Sequence, residues 1–153
     1  MNRSRYVTRS IDDTDRSIIS ILFENGRIAI KEIADRIGMS SPSVKDRILK
    51  LQDAGAIQAN TIVVEPKVFG LGIAAHVRVR ANRGQVTRVK QMLIDTPAVV
   101  EADHVSGDDC FMARVLVRDV EDLAALVDRF SPFAATDASV ILSPTVARRL
   151  PRL

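Results

Sequence analysis

Residues 30–51, IKEIADRIGMSSPSVKDRILKL, read as two short helices joined by a turn. Ile30, Ile33, Ala34 and Ile37 recur at helical spacing, and Val44, Ile48 and Leu51 do so again. Gly38 stands between the two runs, where a left-handed residue can end one helix and redirect the chain. Ala34 is small enough for the following helix to cross closely. Ser40 is a capping residue, and Pro42 falls in the first turn, where no backbone donor is needed. Two helices joined by a glycine-containing turn form a helix-turn-helix.

With Val44, Ile48 and Leu51 facing inward, the second helix turns Ser41, Ser43, Lys45, Asp46, Arg47 and Lys50 outward. A helix in a major groove reads base edges near its N-terminus and holds phosphates with its cations. Ser41, Ser43, Lys45 and Arg47 are therefore the expected groove contacts, and Lys50 and Arg27 the expected phosphate contacts. A solvated amphipathic helix pair in an all-α protein has the same pattern, and Asp46 is unfavourable near phosphates.

Upstream, residues 12–25 form an expected helix with Asp12 as its cap and Asp15 three residues on, as in a capping box. Ile18, Ile19, Leu22 and Phe23 make its apolar stripe, and Asn25-Gly26 ends it. Arg27 follows in the turn, equally placed for a phosphate or a carboxylate. Ala29 offers no side-chain cap to the second helix. Residues 1–10 carry Arg3, Arg5 and Arg9 without an acid, as a loose leader or a DNA-contacting arm would. Downstream, Gly55 stops the third helix. Residues 61–64 are rich in β-branched side chains and read as a strand, giving a winged or strand-tailed helix-turn-helix. Glu65-Pro66 is the expected domain boundary.

Beyond it the period changes. LGIAAHVRVR, residues 71–80, alternates Ile73, Ala75, Val77 and Val79 with His76, Arg78 and Arg80. A helix follows over residues 84–95, with Val86, Val89 and Leu93 inward. Strands are expected over 98–106 and 111–117, with Gly107-Asp108-Asp109 as the turn between them. Asp119 caps a helix with Val120, Leu123, Val127 and Phe130 on one face, and residues 138–142 form the last strand. This βαββαβ order is the ferredoxin-like plan, so the fold class is α+β. One sheet face is left open, carrying His76, Arg78, Arg114 and some apolar residues; such a face suits a second copy of the chain.

Composition is permissive. The chain has 153 residues, 46% hydrophobic and only 4% aromatic, so aliphatic packing dominates. The net charge of +3 is spread over both halves: residues 1–66 carry ten Lys/Arg against nine Asp/Glu, the remainder twelve against ten. Basic charge is instead local, on the N-terminal arm, on the third helix and at Arg148, Arg149 and Arg152. There is no long apolar run and no secretory signal pattern, and the single cysteine, Cys110, reads as a small buried hydrophobe; the cytoplasm is the expected location. No phosphate-binding loop, zinc-protease motif or nucleophile elbow occurs. His76 and His104 could face one another on the sheet, but they lack the further ligands a metal or general base needs. Neither enzyme activity, metal nor cofactor is expected. In the turn, Gly107, Asp108 and Asp109 could converge on a small zwitterion or form an ordinary polar hairpin.

Three segments resemble the leucine-responsive regulator/AsnC (feast/famine) family: IDDTDRSIISIL at 11–22, NGRIAIKEIADRIGMSSPSVKDRILKLQDAGAI at 25–57, and VVEADHVSGDDCFMARV at 99–115. The resemblance covers nearly the whole chain. It implies an N-terminal DNA-binding domain over residues 1–65 and an effector-binding and oligomerisation domain, termed RAM, over residues 66–153. It implies dimers, which in the family often assemble into octamers. It also implies an amino acid or related metabolite bound near Ser106, Gly107, Asp108 and Asp109, altering assembly or DNA affinity. Two positions depart from the family pattern: Cys110 stands where many members have an acid, and Asp109 where an aromatic is common. A doubly acidic turn would fit a ligand with extra positive charge. The reading is a sequence-specific transcriptional regulator acting on double-stranded DNA. Its rivals are a nucleoid-architectural protein without an effector and an amino-acid carrier or enzyme.

Overall fold

In the computed structural model, residues 11–107 and 110–151 are described. Asp12 opens the first helix: its carboxylate accepts from the Asp15 N–H at 2.7 Å, and α1 (Asp13–Glu24) follows. α2 (Ile30–Ile37) has no side-chain cap at Ala29 and ends at Gly38 with φ +68°. A Cβ at Gly38 would meet nothing within 4 Å, so glycine serves the backbone conformation there rather than close packing. Ser40 then caps α3 (Ser41–Asp53), accepting from the Ser43 N–H at 3.4 Å, with Pro42 in the first turn. Ile18, Ile33, Ala34, Val44 and Leu51 are buried together where the three helices meet. Phe23 does not join them and is 45% exposed. It lies roughly 140° round the helix from Ile18.

The strand expected at residues 61–64 does not form. Among the described residues no strand pairs with it, and Val63 is 98% exposed. β-branched composition favours an extended backbone, but a strand also needs a partner for its amides. A short 3-10 turn, Pro66–Phe69, follows.

The chain divides into two compact units at Val63/Val64, with residues 148–151 belonging to the first. The second unit holds β1 (Ile73–Ala81), α4 (Val86–Ile94), β2 (Val99–His104), β3 (Phe111–Val117), α5 (Val120–Phe130) and β4 (Ala134–Val140). All pairings are antiparallel, and the strand order is β2-β3-β1-β4. The first strand is therefore central, as the ferredoxin-like plan requires. Ala75, Val77 and Val79 from β1 and Phe111, Ala113, Val115 and Val117 from β3 pack against Val89, Leu93, Leu123, Leu126 and Phe130 of the two helices. Thr96 is buried beside α4, its hydroxyl donating to the Met92 carbonyl at 2.6 Å.

Several boundaries and faces differ from expectation. β4 begins at Ala134, four residues early, because pairing with β1 from Ala81↔Ala134 to Ala75↔Val140 defines it, not its weakly β-forming Ala-rich sequence. Val86 and Val120 are exposed at the first helical positions of α4 and α5, where the helix has not yet reached the sheet. Leu126 takes the buried place, and Val127 is only half-buried. His76 and His104 do not face one another. His76 lies opposite Arg114 on the open face, while His104 lies opposite Phe111 and stacks on its ring at 4.9 Å on the other side. Among the described residues no helix is long and apolar enough to cross a membrane.

Candidate nucleic-acid interface and effector turn

α3 presents a solvent-facing surface because Val44 and Leu51 are anchored in the core. Ser43 is exposed, and its hydroxyl shares a 2.8 Å hydrogen bond with that of Ser40. Ser41 is half-buried. Lys45 is exposed and has no ion pair among the described residues. Lys50 is also exposed, but its Nζ lies 2.5 Å from Asp46, one turn back on the same helix. Arg27 is exposed in the α1–α2 turn, its backbone N–H donating to the Asn25 side chain at 3.0 Å.

Arg47 is placed differently from the groove-contacting role expected of it. Its guanidinium turns toward the start of α1, donating to Asp12 at 2.7 Å and to Asp15 at 2.8 Å. The Asp15 side chain is 3% exposed and that of Arg47 25%. The Asp12 and Asp15 carboxylates hold the Arg47 pKa above its ordinary value. The Asp15 N–H, and then Arg47, hold the Asp12 carboxyl below the usual carboxylate range. Arg47 thus binds α3 to α1. The spacing that put it among outward residues overlooked two acids at the start of the neighbouring helix, both visible in the sequence.

The turn expected to hold an effector lies between β2 and β3. Val105 N–H donates to the Cys110 carbonyl at 3.0 Å, closing the hairpin. Ser106 and Gly107 are exposed, and Gly107 has φ +110°, a conformation open to glycine and few others. Asp108 and Asp109, the two acids expected at this turn, lie outside the described residues. Beside the hairpin, α4 and β2 flank a partly open cavity of about 280 Å³, lined chiefly by apolar side chains such as Leu93, Val99 and Phe111, with Lys90, Glu101 and His104 among its polar groups. Cys110 is half-buried against the second core, and its N–H donates to the Val79 carbonyl. Among the described residues no group of His, Cys, Asp and Glu could hold a metal ion.

A helix-turn-helix with an exposed second helix, in one chain with a ferredoxin-like unit, defines a two-module DNA-binding regulator. Residues 11–58 match the winged helix-turn-helix DNA-binding family, and residues 74–151 match the Lrp/AsnC ligand binding domain. The chain belongs to the Lrp/AsnC family of transcriptional regulators. It is 34% identical over 118 residues to the HTH-type transcriptional regulator LrpB of Bacillus subtilis, covering 77% of this chain and 79% of the relative. To the regulator FL11 of Pyrococcus furiosus it is 29% identical, covering 77% and 78%. The solved structure of B. subtilis LrpC superimposes with a TM-score of 0.86 at 26% identity, over 92% of this chain and all of that one. A feast or famine regulatory protein from M. tuberculosis, solved with L-methionine, shares the fold with a TM-score of 0.80 at 23% identity, covering 93% and 99%.

Proposed function

We propose that this chain is a cytoplasmic regulator that binds specific DNA sites through residues 1–65 and senses an amino acid or related metabolite through residues 66–153. The observation that carries the reading is the face of α3: an outward surface with Ser43, Lys45 and Lys50, fixed by a capped N-terminus and a buried inner stripe. Ser41, Ser43 and Lys45 are assigned to the groove, and Lys50 and Arg27 to phosphates. Arg47 is assigned to holding α3 in place.

Ser106, Gly107, Asp108 and Asp109 are assigned to the effector. The ligand class comes from the family domain and from a fold neighbour solved with L-methionine. The open sheet face supports a homodimer. His76, Arg78, Arg114, Met112 and Leu116 are interleaved there, so that face is neither wholly polar nor wholly apolar. Octamers would add a second contact between dimers.

Mobility shift of the chain's own promoter region against random duplex, with and without a pool of the twenty amino acids, tests the reading. A specific shift that the pool alters is the expected result. Equal binding to both DNAs would favour an architectural protein, and no binding at low salt would overturn the DNA-binding assignment.

A further inference from the structure

α3 turns a narrow arc straight outward. At 3.6 residues per turn, positions 42, 46, 49 and 53 fall within roughly 60° of one another. They are Pro42, Asp46, Leu49 and Asp53, all exposed, and they lie opposite buried Val44 and Leu51. Lys45 and Lys50 flank the arc on its two sides. A recognition helix meets base edges with its N-terminal half. In that half of the arc stand only Pro42, which has no side-chain hydrogen-bonding group, and Asp46; Leu49 and Asp53 lie in the C-terminal half. Asp46, whose side chain is 59% exposed, is the polar group of that half and lies at the edge of the arc nearest Lys50.

We propose that Asp46 selects cytosine in the major groove. The inference rests on the reading of α3 as the recognition helix. An ionised carboxylate only accepts hydrogen bonds. Its complement on a major-groove edge is the cytosine N4 amino group; guanine offers acceptors there, and adenine sets N7, an acceptor, beside its amino group. An isolated carboxylate would be repelled by the phosphates. Asp46 is not isolated, because the Lys50 ammonium 2.5 Å away makes the pair neutral and lets it approach a polyanion. The same carboxylate that weakens binding to arbitrary sequence then discriminates between bases.

Selection of bound duplexes from a randomised pool tests this, using the full chain and its Asp46→Asn and Asp46→Ala forms. The wild type is expected to enrich a half-site with one C·G position preferred by about tenfold. Asp46→Asn is expected to shift that position to adenine, since an amide can pair with both adenine N6 and N7. Asp46→Ala is expected to flatten it. The same cytosine preference in both variants would overturn the proposal. So would uniformly tighter binding with an unchanged motif, because Asp46 would then only repel. A wild type that enriches no motif sinks the reading on which the proposal rests, whereas an unchanged motif sinks Asp46 alone. Thermal unfolding of both variants should stay close to wild type, because Asp46 is exposed and outside the core.

Discussion

Arg47 and Asp15 meet at 2.8 Å across the interface of α3 and α1, with the carboxylate almost wholly buried and the guanidinium one-quarter exposed. This pair, joined by Asp12, fixes the recognition helix by its middle rather than only by its apolar stripe. Removing the guanidinium leaves a buried carboxylate without its charge partner. Arg47→Ala should therefore cost about 1–2 kcal/mol, the low end applying because water still reaches the site. DNA affinity should fall with it, while the dependence of log Kd on log salt stays unchanged. Urea unfolding and a salt titration of binding would measure both; a flattened slope would instead make Arg47 a phosphate contact.

Lys45 and Lys50 are expected to behave otherwise. Lys45→Ala should weaken binding to all sequences and flatten the salt slope by about one unit. Lys50→Ala should flatten it by less than one, because Lys50 is already shared with Asp46. Equal slopes for wild type and the Lys45 variant would remove Lys45 from the interface.

Low pH should loosen both units. The Asp15 N–H, with Arg47 adding to it, depresses the Asp12 carboxyl, and Arg118 depresses that of Asp122. A carboxyl depressed in the folded state stabilises it above the unfolded pKa of about 4, and that contribution is lost as pH falls through the lower folded value. Stability should be flat from pH 7 to about 5 and fall below about 4. Urea midpoints across this range, compared with Asp12→Asn and Asp122→Asn, should show a shallower acid limb in each variant.

Ala34 is buried at the α2–α3 contact. Ala34→Leu should overpack it, costing about 1–3 kcal/mol, and should displace α3 enough to reduce specific DNA binding. Circular dichroism melts and mobility shift would detect this; a well-folded, fully binding variant would show that α3 can move without consequence.

Gly38→Ala tests the turn. Space is ample, so the cost is that of holding an L-residue at φ +68°, about 1 kcal/mol. A variant as stable as wild type would show that the turn can relax.

The helix-turn-helix was legible because its signals are local. Gly38, Ser40, Pro42 and the apolar spacing each act within one or two turns, and α2 occupies the expected residues. β1 was similarly plain from alternation. What could not be read depended on partners distant in sequence. Residues 61–64 have strand composition, yet among the described residues no strand of this chain pairs with them. β4 takes its limits from β1, and Arg47 takes its direction from Asp12 and Asp15, more than thirty residues earlier. The candidate site was legible to the same extent. Exposure of Ser43, Lys45, Asp46 and Lys50 followed from helical spacing, whereas the turn of Arg47 toward α1 did not.

The central position of β1 also sets an order of assembly. Both neighbours of this strand arrive later in the chain, β3 from Phe111 and β4 from Ala134, so the sheet cannot close until nearly all of it has been synthesised. The three-helix unit depends on contacts much nearer in sequence and should form first on the ribosome. The nascent regulator would then carry a folded DNA-binding head while its sensing unit is still unfinished. Pulsed hydrogen exchange during refolding should find α1–α3 protected before β1; simultaneous protection would show that the two units fold as one.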